Sequence, residues 1–405
     1  MPKPRLLMLV QRFPPDIGGM ATSGARIAAA CRRLGHAVEV VAWTKSLPPG
    51  EVERLDAGEV AAAARGVALH RVGLFHNWDL SLQHTGNVME WLHGQAPFDA
   101  LWGHGLYPAG FMAAFFGSRF GVRSIVSARG NDVDQMMFPP GDFARLLWTL
   151  QRASAITSVS ADLARKIDVL LGRDGGVVVT PNAVDTGLFS PGPPDAELRR
   201  RLGIAEGEAV LAFSGELRHK KGFPFMQEAL TAVRRARPAC LLVVGEVRPR
   251  EQAQLAHYAA QFPEDAARVL VTGHLDDPAA VARHLRLADL FLMPSLWDGL
   301  PNALLEALSC GVLCLGSDGG GIPEVLEHGL NGVVLPRTQL HRLGEAILEA
   351  LALPEARRRG LAEAGRKTIV ERFDGASEAQ ALRRVLGKGR QRSEAWDVRG
   401  NQRDS

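Results

Sequence analysis

Residues 290–321 read LFLMPSLWDGLPNALLEALSCGVLCLGSDGGG. Leu290–Met293 is a short apolar run closed by Pro294, the mark of a strand buried on both faces. Leu300, Ala303, Leu304, Ala307 and Leu308 then fall at helical spacing and make one apolar face of a helix over Asn302–Leu308. Pro301 suits the first turn of that helix, with Asp298 and Gly299 just ahead of it. A second apolar run, Val312–Leu315, follows, and Gly319–Gly321 ends the segment. Strand, helix and strand in so short a span form a parallel βαβ unit.

The same alternation extends in both directions. Strands are expected at Arg5–Val10, Val38–Ala42, Val67–Val72, Ala100–Trp102, Ser124–Ser127, Ala155–Ser158 and Val177–Thr180. A second series runs through Val210–Phe213, Cys240–Val244, Val269–Thr272 and Gly332–Leu335, with helices between. The turn-rich stretch Ser190-Pro-Gly-Pro-Pro-Asp separates the two series. The fold class is therefore α/β, as two Rossmann-like doubly wound domains expected to face a central cleft. The domains are placed at 1–190 and 191–374. A final helix is expected at 375–387, and the polar, aperiodic tail 388–405 is read as disordered.

Composition removes several classes. The 405 residues carry 47 Lys+Arg against 44 Asp+Glu, a net +3, which is little for a nucleic-acid binder living on counterion release. Four cysteines are too few for a disulfide scaffold and suit a reducing cytosol. No run approaches the ~18 apolar residues of a spanning helix, although Arg199–Arg201, Arg234-Arg235 and Arg357–Arg359 leave a peripheral contact with anionic lipid open beside the plainer reading of solvated helix faces. Glycine is enriched, 43 residues, and it clusters at strand ends.

Ligands bind doubly wound sheets at the carboxyl ends of strands. After the first strand comes Gly18-Gly19 ahead of a helix, suited to an anion but equally to an ordinary turn; it matches neither a dinucleotide fingerprint nor a Walker A loop. The strand ending at Ser214 is followed by Gly215-Glu-Leu-Arg-His-Lys-Lys-Gly, where Arg218, His219, Lys220 and Lys221 suit a phosphate or diphosphate. Asp298 and Glu306 bracket the next loop and helix start. A carboxylate there can accept two hydroxyl hydrogen bonds, or serve only as a helix cap and a surface group. Gly319–Gly321 is a further nest of backbone amides.

These segments together resemble family 4 of the retaining glycosyltransferases (GT4), which is built on the GT-B fold. Pro294–Glu306 is similar to that family's Glu-x7-Glu motif, with Asp298 in first position and Glu306 in second. Ser317–Glu324 resembles its Gly-Gly-x-x-Glu segment, and Pro181–Phe189 its hinge. His104 and Arg129-Gly130-Asn131-Asp132 resemble looser landmarks of the acceptor-side domain. The resemblance implies a retaining, metal-independent enzyme with no cofactor. It would take a UDP- or GDP-linked sugar and pass the sugar to a glycan, lipid-linked or other glycoconjugate acceptor in bacterial polysaccharide or lipopolysaccharide synthesis. It would act in the cytoplasm or at the inner membrane face. In this resemblance Glu306 holds ribose hydroxyls, Asp298 the donor sugar, and Arg218 and Lys221 the leaving diphosphate. Gly18, Gly19, Gly215, Leu300, Asn302, Gly320, Gly321 and Glu324 line the donor, and His104, Arg129, Asn131 and Asp132 lie on the acceptor side. The last helix crosses back to the first domain. Acceptor recognition is expected in loops such as 44–95 and 129–142.

Four positions depart from the pattern. Asp298 replaces the first Glu, Glu216 the usual Arg after the strand-end glycine, Arg129 the usual His, and Ala183 a hinge Gly. Arg218 is therefore assigned the missing arginine's work. Asp132-Val-Asp134 matches a metal-binding Asp-x-Asp pattern but reads as a coincidental pair. Two rivals remain: an epimerase or phosphorylase on the same fold, and a nucleotide-sugar-binding protein whose site has decayed.

Overall fold

The computed structural model describes residues 2–130 and 132–387. Asn131 and the tail 388–405 lie outside the described residues. Two compact units emerge. Among the described residues, one comprises 2–130, 132–157, 167–178 and 379–387; the other comprises 158–166 and 179–378. The turn-rich stretch at 190–194 thus lies within the second unit, since Arg286 bonds to Ser190 and ties it to neighbouring helices there.

The first unit holds β1 (Arg5–Val10), β2 (Ala37–Thr44), β3 (Val52–Asp56), β4 (Ala68–Gly73), β5 (Ala100–His104), β6 (Arg123–Ala128), β7 (Ala155–Ser158) and β8 (Val178–Val179). Their order is β3-β4-β2-β1-β5-β6-β7-β8. β1 pairs in parallel with both β2 and β5, Met8 lying between Val40 and Trp102. Successive β1 side chains face opposite ways. Leu6, Met8 and Val10 join Ile27 and Ala28 of the helix Gly19–Arg33, with Leu382 and Val385 of the last helix, Gly375–Leu386. Leu7 and Leu9 join Trp43, Met89 and Met112 on the other side. Every one of these β1 residues is fully buried, which is why the strand carries no polar residue after Arg5 at its start.

Two elements here depart from expectation. β3 is an antiparallel edge strand paired to β4. Its sequence, VERLD, is charged and half exposed, so it lacked the apolar run that marks an interior strand. Residues 78–95, expected as loop, form an 18-residue helix. Its buried stripe is Ser81, Thr85, Met89 and Leu92, and the two polar members are satisfied internally: Trp43 Nε1 donates to Thr85 Oγ1 at 2.8 Å, and the Phe75 amide to Ser81 Oγ at 3.0 Å. Polar residues on the inward face hid the apolar period.

The second unit holds β9 (Ala209–Ser214), β10 (Ala239–Val244), β11 (Val269–Val271), β12 (Leu290–Met293), β13 (Cys314–Ser317) and β14 (Val333–Leu335), ordered β11-β10-β9-β12-β13-β14 and parallel throughout. The order reverses between β9 and β12, which is where a doubly wound sheet opens for a ligand. Phe213, Leu241, Leu292 and Leu315 pack with Leu230 and Ile347 from flanking helices. Among the described residues no helix is long and apolar enough to cross a membrane.

Candidate active site

The parallel pairing of β9 and β10 continues past their ends. Gly215 N–H donates to Val244 O at 2.9 Å, Leu217 N–H to Glu246 O at 2.8 Å, and Leu217 bridges Val247. A Cβ on Gly245 would stand 2.2 Å from the Gly215 carbonyl oxygen, so this close approach requires glycine. Alternation sends Leu217 into the core and leaves Glu216 and Arg218 together on the opposite face. The Glu216 carboxylate accepts from the Arg218 guanidinium on one oxygen and from Arg248 Nε on the other.

One turn of 3-10 helix, His219–Lys221, comes next. Glu251 Oε1 accepts the His219 amide at 3.1 Å and fixes the start of the turn. Gly222 ends it at φ 82°, where a Cβ would lie 2.2 Å from Pro294 O. Lys220 O accepts the Leu296 amide at 2.8 Å. The basic turn is thereby seated on the loop that follows β12. Lys221 Nζ meets Asp298 Oδ2 there, with side chains only 19% and 13% exposed. The other Asp298 oxygen accepts the Gly299 amide at 3.0 Å.

Burial favours the uncharged form of each group in this cluster. It pushes Asp298 up, but Lys221 and Lys220 outweigh it and hold the carboxyl below its usual range. Burial likewise raises Glu216, and Arg248 and Arg218 bring it below its ordinary value. Lys220 goes the other way: burial, joined by Lys221, Arg218 and Arg248, lowers it to about 8 against the pull of Asp298. Four cations and two carboxylates therefore sense one another at this edge.

The helix Asn302–Ser309 points its start at the same loop. Pro301 stands at the N-cap with ψ 117°, one residue before the first turn expected for it, and no side chain caps the helix. Its leading amides are therefore open to an anion. Leu304, Leu305, Ala307 and Leu308 are buried, which leaves Asn302, Ala303 and Glu306 on the partly open face. Asn182 Nδ2 donates to Leu300 O at 2.8 Å and holds the entry to the helix. Gly320, at φ 59°, lies under this loop; a Cβ would be 1.8 Å from Asp298 O, and one on Gly321 would be 2.0 Å from Gly299 O. Glu324 is engaged within the free protein. Its two oxygens accept the amides of Ala161 and Asp162 at 2.9 and 3.0 Å, capping the helix Ala161–Leu170.

In the first unit, Gly18 caps the helix Gly19–Arg33 at φ 130° with no side-chain partner. One turn in, Ser23 Oγ pairs with His104 Nε2 at 2.8 Å. His104, the last residue of β5, is fully buried, and burial drives its imidazole well below the ordinary value, with Arg129 and Arg26 pushing the same way. Burial thus favours its neutral form, and among the described residues its Nδ1 has no hydrogen-bond partner. The Asp132 carboxylate accepts the amides of Gly130 (2.9 Å), Arg129 (3.1 Å) and Leu106 (3.2 Å). Burial holds it above its usual range against those amides. Asp132 thus ties the amides of Arg129 and Gly130, just past β6, to that of Leu106, just past β5.

Lys221 meets Asp298, Gly320 and Gly321 pack under the Asp298–Gly299 loop, and Gly215 and Arg218 follow the end of β9; Leu300, Asn302 and Glu306 lie where that loop runs into its helix. Three contributors escaped the motifs, Ser23, Glu251 and Arg248, and Asn182 figured there only as part of the hinge segment. Arg248 carried a usable signal, since it follows the end of β10 by four residues.

Residues 18–183 match the family model described as "Glycosyl transferase 4-like domain", and residues 194–368 that described as "Glycosyl transferases group 1". A GDP-mannose-dependent alpha-(1-6)-phosphatidylinositol monomannoside mannosyltransferase of Mycobacterium tuberculosis is 27% identical over 387 residues, 91% of this chain and 94% of that one. The N-acetyl-alpha-D-glucosaminyl L-malate synthase of Bacillus anthracis is 24% identical over 363 residues, 89% and 91% of the two chains. Among solved structures, sucrose-phosphate synthase from Thermosynechococcus elongatus superposes with a TM-score of 0.80 at 16% identity, covering 96% of this chain and 100% of the other. Anabaena HepE, solved with UDP and glucose, gives 0.76 at 18%, covering 95% and 99%. At such identities the structural likeness bears on the fold alone.

Proposed function

The chain belongs to the GT4 glycosyltransferases, on the GT-B fold, and from that premise we propose that it moves a sugar, with retention and without a metal, from a UDP- or GDP-linked donor to a glycan or lipid-linked acceptor. The observation that carries this reading is the second unit's strand edge, where Arg218, Lys220 and Lys221 gather beside an uncapped helix start. Cations and amides fixed in advance around a leaving phosphate lower the barrier most, because they need no reorganisation as charge develops.

In the proposed reaction the donor's anomeric C–O bond breaks toward an oxocarbenium-like state. The electron pair goes to the β-phosphate oxygen, facing Lys221 and Arg218. The acceptor hydroxyl attacks from the same face, and its proton passes to that phosphate oxygen. Glu306, on the helix's open face, accepts the ribose hydroxyls, and the amides at Leu300–Asn302 meet the diphosphate. Asp298 is committed to Lys221 in the free protein, so a sugar contact from it shares the carboxylate with that lysine. His104, buried and neutral, supports the acceptor side through Ser23. Nothing in the geometry favours an epimerase or a decayed binding site.

A melting screen against UDP, GDP, ADP and their sugars tests the donor class, because a ligand binding only the folded state raises Tm with its affinity. Turnover of the stabilising nucleotide sugar in excess EDTA, with NMR of the product anomer, tests the rest. Loss of activity in EDTA, or an inverted product, overturns metal independence or retention respectively.

A further inference from the structure

We propose that Arg248, gripped by Glu216, is a donor-diphosphate-binding residue, supplying from the end of β10 the guanidinium that the family pattern places directly after the strand-end glycine. The inference rests on the glycosyltransferase reading above and assigns a residue to it.

Glu216 stands at the position where a cation is expected, and alone it would cancel Arg218. The extended pairing of β9 and β10 resolves this. Because Leu217 bridges Val247, residues 216 and 218 share a face of the sheet edge with residue 248. Glu216 takes one guanidinium on each oxygen, Arg218 by Nη2 and Arg248 by Nε. Two cations and one carboxylate leave one positive charge; Lys220, Lys221 and Asp298 leave another beside it. Without Arg248 the first group is neutral, and a diphosphate would face the lysines alone.

Arg248 is also held in position and within reach. It is the N-cap residue of the helix Pro249–Gln261, at φ −60°. Its carbonyl accepts the Gln252 amide at 2.9 Å and Pro249 follows it, which fixes where its side chain starts, and Glu251 of the same helix grips the His219 amide. One helix start thus carries both the brace of the lysine turn and the extra guanidinium. The Arg248 side chain is 44% exposed, and its Nη1 and Nη2 donors are not spent on Glu216. It acts on Lys220 through space, which places it in the same cluster. A planar guanidinium whose Nη donors are not bonded to the carboxylate that holds its Nε suits a phosphate.

The test is calorimetric titration with UDP, GDP and ADP, and with UMP, GMP and AMP. The wild type is measured first; if it binds none of the diphosphates, the glycosyltransferase reading itself fails. For the diphosphate that binds, Arg248→Gln should weaken affinity roughly tenfold or more, the worth of a charge-assisted hydrogen bond, while the matching monophosphate changes less than twofold. The swap Glu216→Arg with Arg248→Glu should recover the diphosphate to within about threefold, and Arg248→Lys should fall between wild type and Gln. Melting curves check folding, and Arg248→Lys carries the test if the Gln variant is unfolded. The proposal is overturned if Arg248→Gln costs less than threefold, if mono- and diphosphate lose equally, or if the swap binds no better than Arg248→Gln.

Discussion

Lys220 offers a test of the site that needs no variant to begin. Burial, with Lys221, Arg218 and Arg248 adding to it, lowers the amine from 10.5 to about 8 in the free protein, against the pull of Asp298. A diphosphate seated on the turn would restore the charged form. If the bound amine returns near 10.5, affinity is set by Lys220 being protonated before binding. The sign follows: below about pH 8 the cation is present and affinity is flat; above it, each molecule must take up a proton to bind, and affinity falls. Between pH 7 and 9.5 the expected loss is roughly 25-fold, about 1.9 kcal/mol at 1.36 kcal/mol per unit. A terminal phosphate is fully ionised above about pH 7, since its second pKa is about 6, so the ligand contributes no opposing trend. The assay is calorimetric titration of the stabilising nucleoside diphosphate at pH 7.0, 8.0, 9.0 and 9.5, in two buffers of different ionisation enthalpy so that proton uptake is counted. Lys220→Gln should bind more weakly at pH 7 and remain flat to pH 9.5. Wild-type affinity that is level across this range, with no proton uptake, refutes the argument that Lys220 faces the phosphate.

Three further outcomes are expected. Lys221→Ala should lower turnover on the order of 10²–10³-fold, as loss of one preorganised donor to a developing oxyanion does, measured as kcat at saturating donor. Glu324→Ala should cost about 1–2 kcal/mol of stability in denaturant melts, because the amides of Ala161 and Asp162 lose their acceptor while Ser160 keeps only that of Leu163, and donor KM should be unchanged; a raised KM with full stability would place Glu324 at the donor site. Gly320→Ala should destabilise by about 2–4 kcal/mol and weaken donor binding together, since its Cβ would meet Asp298 O at 1.8 Å in a left-handed conformation.

The alternation of apolar runs and helical periods carried the architecture, because strands buried on both faces must be apolar throughout. That argument is local, and it worked wherever burial and apolarity coincide, as in β1, β10 and β12. It failed at β3, an exposed edge, and at 78–95, where Ser81 and Thr85 are buried but satisfied by hydrogen bonds. The placement of the motif residues was legible too: Asp298, Lys221 and the glycines of 319–321 lie in loops after strands and Glu306 in the helix that follows one, and each of these is a position along the chain. What a carboxylate or cation does there was not legible. Glu216 looks like the loss of a cation until Arg248, 32 residues away, is found on its other oxygen. The amides of Ala161 and Asp162 on Glu324, and Lys221 on Asp298 across 77 residues, leave no mark in the local sequence either. Sequence fixes which groups reach the edge of the sheet; only tertiary contact decides which of them are already paired, because an ion pair or a cap depends on distance in space and leaves no period in the chain.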